Sequence, residues 1–496
     1  MTNAANIALG HLAVQGVHIT AVVGEIVLSV GAMLLLIGGS RLGRRSRALP
    51  AAGALVVIVA AGASLLIWST RTFAAFDSAV AQDGFSLSLK MVLLFGAAMS
   101  VLVGHSYIDQ ENAPAPEFFG LLLFATAGMM LMVSATDLIL IFVALETFSL
   151  ALYVLTGFRR TRADSQEGAL KYFLTGSFSS AFFLYGTALI YGATSSTRLA
   201  LIQQHMSRVG TAHQGLASAG LALIIIGLAF KIAAVPFHMW TPDAYQGAPA
   251  PVTGFMAAGS KVAGFAVLLR ILVVFFPAMA VDWRPVVVSL SVISMVVGSI
   301  IAVAQSNVKR MLAYSAIAHS GFLLIGIASG NDRGISGSVF YLGAYTFTVI
   351  ASFAIIYAVG RPGEPHTSLE DYKGLWYRRP FLAVMFAVCL VSLAGVPPTI
   401  GFWAKFEVFS AGVSANLVPL VVVAVLSSAV AAFFYLRVIV LMFLEEPKGW
   451  TVGSIEPSTA PGIGLAVMVA ASAILVFGVV PGPILTLLNS STMLGH

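Results

Sequence analysis

Long apolar runs recur along the whole of this 496-residue chain, and they constrain its fold more than any other feature. About twenty apolar residues coiled as an α-helix are long enough to cross the hydrocarbon core of a membrane. The chain has 26 Lys and Arg and 20 Asp and Glu, so charged residues are 9% of it against roughly 25% in soluble domains. The sequence therefore predicts an all-α polytopic membrane protein with about fourteen transmembrane helices. The runs lie at about 19–39, 51–69, 85–104, 117–134, 137–158, 168–192, 217–236, 252–275, 285–304, 311–329, 336–359, 381–413, 416–443 and 461–483.

Prolines interrupt the seventh and the twelfth of these runs. The segment 231–236 reads KIAAVP and the segment 394–401 reads AGVPPTIG. Because proline breaks or kinks a helix, both runs are expected to be broken helices. Each contains a Val-Pro step followed by a Trp and has a Lys nearby, and the two lie five helices apart. Paired broken helices of this kind are typical of inverted repeats with a site at the middle of the membrane, although proline is also common in long membrane helices and coincidence is the alternative.

The predicted organisation is two inverted five-helix repeats, each with a proline-broken helix, between additional helices at both ends. The predicted segments are 1–116 with helices 1–3, 117–275 with helices 4–8, 276–443 with helices 9–13, and 444–496 with helix 14.

Lysine and arginine residues are distributed unevenly between alternate loops, and the richer side of a membrane protein faces the cytoplasm. One side, called the basic side below, holds fourteen of them and the other side holds five. With an even number of helices, this asymmetry places both termini on the outer side. The first residues lack the basic stretch and cleavage site of a signal peptide, so we expect a mature N-terminus. The fourteen are Arg41, Arg44, Arg45, Arg47, Arg159, Arg160, Arg162, Lys309, Arg310, Arg361, Lys373, Arg378, Arg379 and Lys448; the five are Arg71, Arg198, Arg208, Arg284 and Arg333.

Several classes of site have no sequence support in this chain. A single cysteine, Cys389, excludes a disulfide framework and an iron–sulfur cluster bound by this chain alone. The nine histidines show no metal-binding spacing, and neither a dinucleotide-binding nor a phosphate-binding glycine motif is present. The basic residues lie in loops rather than on one helix face, which argues against nucleic-acid binding. No cofactor or metal site is therefore predicted within the chain.

Four ionisable residues fall deep inside predicted spans: Glu146, Lys231, Lys261 and Lys405. A charge at the centre of a bilayer costs at least ~2.5–3.5 kcal/mol, so it is retained only where it is paired, hydrated or functional. Glu146 lies about 14 Å of helix rise beyond Asp137, close to the middle of the membrane. The four belong to four helices, as a lateral proton relay at mid-depth requires. The alternative for each lysine alone is a paired or snorkelling structural residue.

Two further residues are weaker candidates for the same path. Lys171 lies near the start of its helix with Glu167 one turn before it, an arrangement that suits either a simple salt bridge or a proton entry point. His319 lies in the tenth run and, with Tyr314 and Ser315, offers polar groups between the central lysines.

Several motifs resemble the antiporter-like membrane subunits of the NADH-quinone oxidoreductases, which are known as respiratory complex I. The most characteristic stretch is KIAAVPFHMWTPDAYQGAP at 231–249, followed by VTGF at 252–255. The stretches LETFSLALY at 145–153, EGALKYF at 167–173 and LAYSAIAHSG at 312–321 agree with it. The similarity covers essentially the whole chain. Within the family, Lys rather than Glu at 405 and the end of the chain soon after the fourteenth helix favour the N-type subunits over the M-type and L-type.

The resemblance implies roles for individual residues. Glu146 and Lys231 would form the pair that tunes the charge of the lysine, Lys261 would be the central relay lysine, Lys171 would lie near the cytoplasmic entry, and Lys405 would end the output path. It also implies that NADH, FMN, iron–sulfur clusters and quinone belong to partner subunits. The implied partners are the neighbouring antiporter-like subunit M, the small subunits A, J and K, and lipids, in a bacterial inner membrane.

Three functions therefore compete. The first is a proton-translocating membrane-arm subunit of an NADH-quinone oxidoreductase. The second is a subunit of a multisubunit Na⁺/H⁺ antiporter, which has the same broken helices and central lysines. The third is a scaffold of the membrane arm that conducts no ions.

Overall fold

The computed structural model describes residues 18–42, 48–68, 72–209, 214–360, 367–446 and 460–489, and these are almost entirely helical. The predicted all-α polytopic class is confirmed. The elements, in chain order, are α1 (Val23–Leu42), α2 (Ala48–Trp68), β1 (Phe73–Ala75), β2 (Val80–Gln82), α3 (Gly84–Glu111), α4 (Ala115–Ser134), α5 (Leu138–Thr156), α6 (Ala163–Thr194), α7 (Leu199–Val209), α8 (Gln214–Lys231), α9 (Trp240–Gly247), α10 (Ala250–Leu268), α11 (Ala280–Val303), α12 (Val308–Ser329), α13 (Asp332–Val359), α14 (Leu375–Arg378), α15 (Pro380–Ala394), α16 (Ile400–Ser414), α17 (Val418–Leu444), α18 (Pro461–Val479) and α19 (Gly482–Asn489).

Thirteen helices of the described residues are long and apolar enough to cross a membrane, and α15 is a shorter apolar helix. The seventh span consists of α8 and α9, and the twelfth consists of α15 and α16, so both predicted breaks are present. Counting each broken helix as one span gives the fourteen predicted. Six basic residues used for the orientation, and both termini, lie outside the described residues: Arg44, Arg45, Arg47, Arg71, Arg361 and Lys448.

Two small elements were not predicted. Strands β1 and β2 pair antiparallel as a short hairpin before α3, and Val80 forms an isolated bridge with Ala135 at the end of α4. Helix α7 follows α6 and buries Leu199 and Ile202. Both elements are too short to cross a membrane and cover the helix ends on the side opposite the basic side.

Helices α10, α12 and α13 form the centre of the molecule. Almost every described residue of these three helices is buried, and each of the three packs against several neighbouring spans. Helix α2, in contrast, exposes large apolar side chains such as Val56 and Val59 along its length. Lys261 on α10 and His319 on α12 are therefore enclosed by protein rather than by lipid.

The two breaks have the same local backbone. Helix α8 stops before Ala233 (φ 58°) and α15 stops before Gly395 (φ 83°), both of which are left-handed. The next amide closes each end with a bond to the carbonyl five residues back, 2.8 Å from Ala234 to Ala229 and 3.2 Å from Val396 to Val391. This is the usual helix-ending motif, and it leaves other carbonyls of the last turn free to accept hydrogen bonds from side chains.

Two buried ion pairs tie α3 to the turn that extends α10 and to α1. The guanidinium of Arg270 binds both carboxylate oxygens of Asp83, at 2.9 and 3.2 Å, and both side chains are at most 1% exposed. Lys90 on α3 lies 2.6 Å from Glu25 on α1. Arg270 belongs to a π-helical turn, Leu269–Phe275, which extends α10. Lys90 and Arg270 fall within the predicted runs 85–104 and 252–275, and their charges are neutralised by acidic partners.

Candidate functional site

Glu146 lies at the ninth of the nineteen residues of α5 and is only partly buried. Asp137 caps the start of this helix, with its carboxylate accepting from the amides of Ile139 and Leu140. The carboxylate of Glu146 accepts a hydrogen bond from the hydroxyl of Ser180 on α6. The acid therefore lies at the seam between α5 and α6, at mid-depth and close to the outer surface of this chain.

Lys231 is the last residue of α8 and is 1% exposed. Its ammonium donates to the hydroxyl of Ser149 at 2.9 Å and to that of Tyr153 at 3.3 Å. The ring of Phe230 lies 5.4 Å away and adds cation–π attraction. The structure thus brings Lys231 to the helix that carries Glu146, but the two side chains bind different hydroxyl groups rather than each other.

Lys261 is buried near the middle of α10 and points at the first helix break. Its ammonium donates to the carbonyl oxygen of Ile232 at 3.1 Å and to the hydroxyl of Ser320 on α12. Ser320 also donates to the same carbonyl. The ring of Tyr345 lies 5.9 Å from the ammonium. The C-terminal end of a helix carries a partial negative charge, so this position favours a cation.

Lys405 on α16 points at the second break in the same way. Its ammonium donates to the carbonyl oxygen of Ala394 and to the hydroxyl of Ser428 on α17, both at 2.7 Å. Lys405 is one of the residues that line a cavity of about 700 Å³ between α16 and α17. Most of its lining is apolar, and Arg333, which pairs with Glu407 at 3.0 Å, also lines it.

His319 on α12 is buried between the two breaks. One ring nitrogen lies 2.6 Å from the hydroxyl of Tyr341 and the other lies 3.2 Å from that of Tyr435. Tyr435 is in turn hydrogen-bonded to Ser315. Ser320, the next residue after His319, binds Lys261, and Tyr435 lies on α17, which lines the cavity beside Lys405. This polar network therefore begins near Lys261 and extends toward the helix that lines the cavity of Lys405.

Lys171 belongs to a separate ionic cluster on the basic side. It lies 2.5 Å from Glu167 and 2.8 Å from Asp243, and Arg310 lies 2.7 Å from the other oxygen of Asp243. The cluster joins α6, α9 and α12. It is partly exposed, and its ion pairs involve none of Lys231, Lys261 and Lys405.

One basic residue differs from its predicted place. Lys309 is predicted to be a loop cation of the basic side, but its side chain is buried and donates to the carbonyl oxygens of Gln246 at 3.3 Å and Ala248 at 2.7 Å. It therefore caps the C-terminal end of α9. Lys309 shares one feature with Lys261 and Lys405. In each case the ammonium lies at the C-terminal end of a helix, which carries a partial negative charge.

Sequence reasoning missed the hydroxyl groups that hold these charges. Single serine and tyrosine residues are common in membrane helices, so only the burial of a lysine beside them distinguishes them. Ser320 could have been predicted, because it follows His319 in the motif at 312–321. The missed residues are Ser149, Tyr153, Ser180, Ser320, Tyr341, Ser428 and Tyr435.

No group of three or more His, Cys, Asp and Glu side chains able to hold a metal ion occurs among the described residues. The arrangement is instead a row of protonatable groups, all of them buried except Glu146, and each hydrogen-bonded to hydroxyls or freed carbonyls. Such a row can hold and pass protons, provided that water or hydroxyl groups bridge the gaps between its members.

Comparisons with known proteins agree with this chemistry. Residues 135–431 match the family described as NADH:quinone oxidoreductase/Mrp antiporter, TM. The NADH-quinone oxidoreductase subunit N of Trichlorobacter lovleyi is 45% identical over 95% of this chain and 96% of its own. A chain of respiratory complex I from Thermus thermophilus with bound Aureothin is 35% identical, with a TM-score of 0.80 over 95% of this chain and 100% of that one.

A chain of the Mrp complex from Dietzia also has a TM-score of 0.80, covering 94% of this chain and 96% of that one, but at 22% identity it shows the fold alone. Complex I is therefore the better supported of the two assemblies. The chain belongs to the family of the NADH-quinone oxidoreductase N subunits, the antiporter-like proton-pumping subunits of the membrane arm.

Proposed function

We propose that protons cross this subunit along the row formed by Glu146, Lys231, Lys261, His319 and Lys405. The observation that carries the proposal is that these five side chains lie on five different helices, with the three lysines and His319 buried and held by hydroxyls, rings or freed carbonyls. A structural ion pair would need an acid in contact with each lysine. Among the described residues, none of these three lysines has an acidic group within 4.0 Å, so each can change its charge without breaking a salt bridge.

The proposed mechanism begins with the charge of Glu146. While its carboxylate is ionised, it favours the ammonium form of Lys231, which binds the same helix at Ser149. When the carboxylate is neutralised or turned away, Lys231 releases its proton toward Lys261. Protons then move past Ser320 and His319 to Lys405, whose cavity opens the path to the other side. Lys171 and its partners Glu167 and Asp243 are proposed to supply protons from the basic side.

The partner subunits are inferred from the two ends of the row, where Glu146 and the cavity beside Lys405 lie close to the surface of this chain. A carboxylate facing lipid at mid-depth costs several kcal/mol, so the partly exposed face around Glu146 is expected to be covered by another subunit. At the other end of the row, the cavity beside Lys405 is proposed to face the next antiporter-like subunit, M. The small subunits A, J and K and bound lipids complete the proposed surroundings, while NADH, FMN, iron–sulfur clusters and quinone are placed in partner chains.

The location follows from the same reasoning. We infer a bacterial inner membrane, with the basic side in the cytoplasm and both termini outside. We also infer that 117–275 and 276–443 are inverted repeats. The support is that α8 and α15 end in the same motif, five spans apart, while their continuing halves run on after a proline.

The test uses Lys231→Ala in the complete complex, reconstituted into vesicles with NADH and quinone. We expect assembly to be retained and NADH-driven proton pumping to be lost. The control is Lys373→Ala, since Lys373 lies in a loop of the basic side, where Glu370 and Glu445 at 2.7 and 2.9 Å raise the pKa of its ammonium. Full pumping by the Lys231 variant would favour the scaffold function.

Isolation of the native complex separates the two ion-translocating assemblies. We expect the chain to co-purify with NADH-oxidising peptides that carry iron–sulfur clusters. Co-purification with a set of membrane subunits that lacks any redox peptide would favour the Na⁺/H⁺ antiporter instead.

A further inference from the structure

The carbonyl groups of Ile232 and Ala394 occupy the same place in the two broken helices. Each immediately precedes the left-handed residue that ends the first half-helix, Ala233 in one case and Gly395 in the other. Neither carbonyl can be satisfied by the next helical turn, because the helix has stopped. Within a membrane, an unsatisfied carbonyl costs several kcal/mol, so side chains must supply the missing donors.

Each of these carbonyls receives one ammonium and one hydroxyl. At Ile232 the donors are Lys261, at 3.1 Å, and Ser320. At Ala394 they are Lys405, at 2.7 Å, and Ser428, at 3.4 Å. In both places the ammonium also donates to the serine oxygen, so carbonyl, ammonium and hydroxyl form a closed triangle.

The two triangles draw their members from different helices. Lys261 is the twelfth residue of α10 and Ser428 is the eleventh of α17, and these helices follow the two broken helices directly. The helix that follows the first break thus gives an ammonium to it, whereas the equivalent helix that follows the second break gives a hydroxyl. The hydroxyl at the first break comes from Ser320 on α12, and the ammonium at the second comes from Lys405 on α16. Descent from a common repeat does not explain this exchange, whereas a shared need for one ammonium and one hydroxyl does.

The geometry points to Ser320 and Ser428 as positioning residues for the two lysines of the proposed relay. While the lysine is an ammonium, the serine oxygen accepts one of its protons and the hydroxyl donates to the carbonyl. Once the lysine has given up a proton, the hydroxyl can turn and donate to the neutral amine. The serine therefore keeps the lysine at the break in both charge states. The inference rests on the proposed function, because it assigns a role within the same relay.

Other charged and titratable groups face these sites and belong to the same pH response. Around Lys261 they are Tyr345 and His319, and around Lys405 they are His319, Arg333 and Glu407. A serine contributes no charge of its own. Replacing it therefore changes the pH response only through the lysine that it binds, and leaves these neighbours in place.

The experiment measures NADH-driven pumping by the complete complex in vesicles across a range of pH, for Ser320→Ala and Ser428→Ala. Loss of an acceptor destabilises the ammonium, so the alkaline limb of the pumping profile should move by about one unit toward lower pH. The controls are Ser329→Ala, whose hydroxyl bonds only its own helix at Ile325, and Ser427→Ala, the buried neighbour on α17. Their profiles should match the native one.

Profiles that do not move in either serine variant, or that move equally in the controls, would overturn the inference. If an alanine variant fails to assemble, Ser320→Cys and Ser428→Cys are measured in its place, because cysteine keeps the volume of the side chain and weakens its hydrogen bonds. These variants should shift the alkaline limb of the profile in the same direction by a smaller amount. Lys261→Ala and Lys405→Ala, measured in parallel, test the relay itself. Their full pumping would contradict the proposed function, whereas their failure beside unmoved serine profiles would contradict only the role of the serines.

Discussion

Lys231 donates a hydrogen bond to Ser149, which lies one helical turn beyond Glu146 on α5. Residues three apart on a helix share a face, so the ammonium and the carboxylate lie along one side of α5 without forming a direct pair. Ser149 donates its own hydroxyl to the carbonyl of Leu145 and is therefore oriented to accept from the lysine. The charge of Glu146 can act on Lys231 across this short gap while both remain in place.

Glu146→Gln should impair the relay at its first step. The substitution keeps the size of the side chain and its bond to Ser180 but removes the charge that favours the ammonium form of Lys231. We expect NADH-driven pumping to fall by roughly tenfold, which corresponds to a change of about 1.4 kcal/mol in proton affinity. The measurement is the initial rate of vesicle acidification. Thr147→Val, on the exposed side of the same turn, is the control, and equal rates for both variants would contradict the role of Glu146.

Gly395→Ala should disturb the second break and the lysine that it holds. Gly395 has φ 83°, and an added Cβ atom would lie 2.7 Å from the Cδ atom of Lys405. A left-handed residue with a side chain costs roughly 1–2 kcal/mol, so we expect a lower melting temperature of the complex together with slower pumping. Ala233→Gly, at the left-handed residue of the first break, relieves strain and should not lower stability. A native melting temperature and pumping rate in Gly395→Ala would argue against a fixed break.

The fold could be predicted from the sequence because the bilayer sets one length for every span. Apolar runs of about twenty residues therefore predicted the spans. The prolines at 236 and 397 predicted both breaks, because proline interrupts a helix. The hairpin at 73–82 and helix α7 were missed, since short elements outside the membrane follow no such length rule.

The candidate site was predictable only in part. Lys231, Lys261 and Lys405 stand out because charge is rare in apolar runs, and the structure places each of them in a buried polar site. What binds each lysine was not predictable, because a freed carbonyl is created by the three-dimensional path of the break and a serine in a membrane helix is unremarkable by itself. The burial of Lys309 was missed for the same reason: its partner is the backbone end of α9.

Arg270→Met should prevent stable assembly. The substitution removes the guanidinium that binds both carboxylate oxygens of the buried Asp83, and removal of one partner of a buried ion pair typically destabilises a protein by about 3–5 kcal/mol. We expect little of the variant subunit in the purified complex, measured as subunit content per complex. Arg198→Met removes the exposed pair with Asp77 and should assemble normally, because such pairs contribute about 0–1 kcal/mol. Restoration of assembly by adding Asp83→Asn would support the electrostatic cause, and normal assembly of Arg270→Met alone would refute it.

Asp243→Asn should loosen the ionic cluster on the basic side. Asp243 binds both Lys171 and Arg310, so its neutralisation weakens the contacts that join α9 to α6 and α12. The pairs are partly exposed, and we expect a loss of about 0–2 kcal/mol in the stability of the complex. The difference from the native complex should shrink at high salt, where exposed charges are screened. Glu167→Gln, which removes only one contact of Lys171, should have a smaller effect, and a difference that persists unchanged at high salt would point to a cause other than charge.

The proposed path places Lys261 and Lys405 in series. This is tested by the number of protons pumped per NADH oxidised by the complete complex with Lys261→Met, Lys405→Met and both substitutions together. Residues that act in series are not additive, so each single variant and the double variant should lose the same number of protons per NADH while assembly is retained. A native number in either single variant, or losses that add in the double variant, would contradict a single path through both lysines.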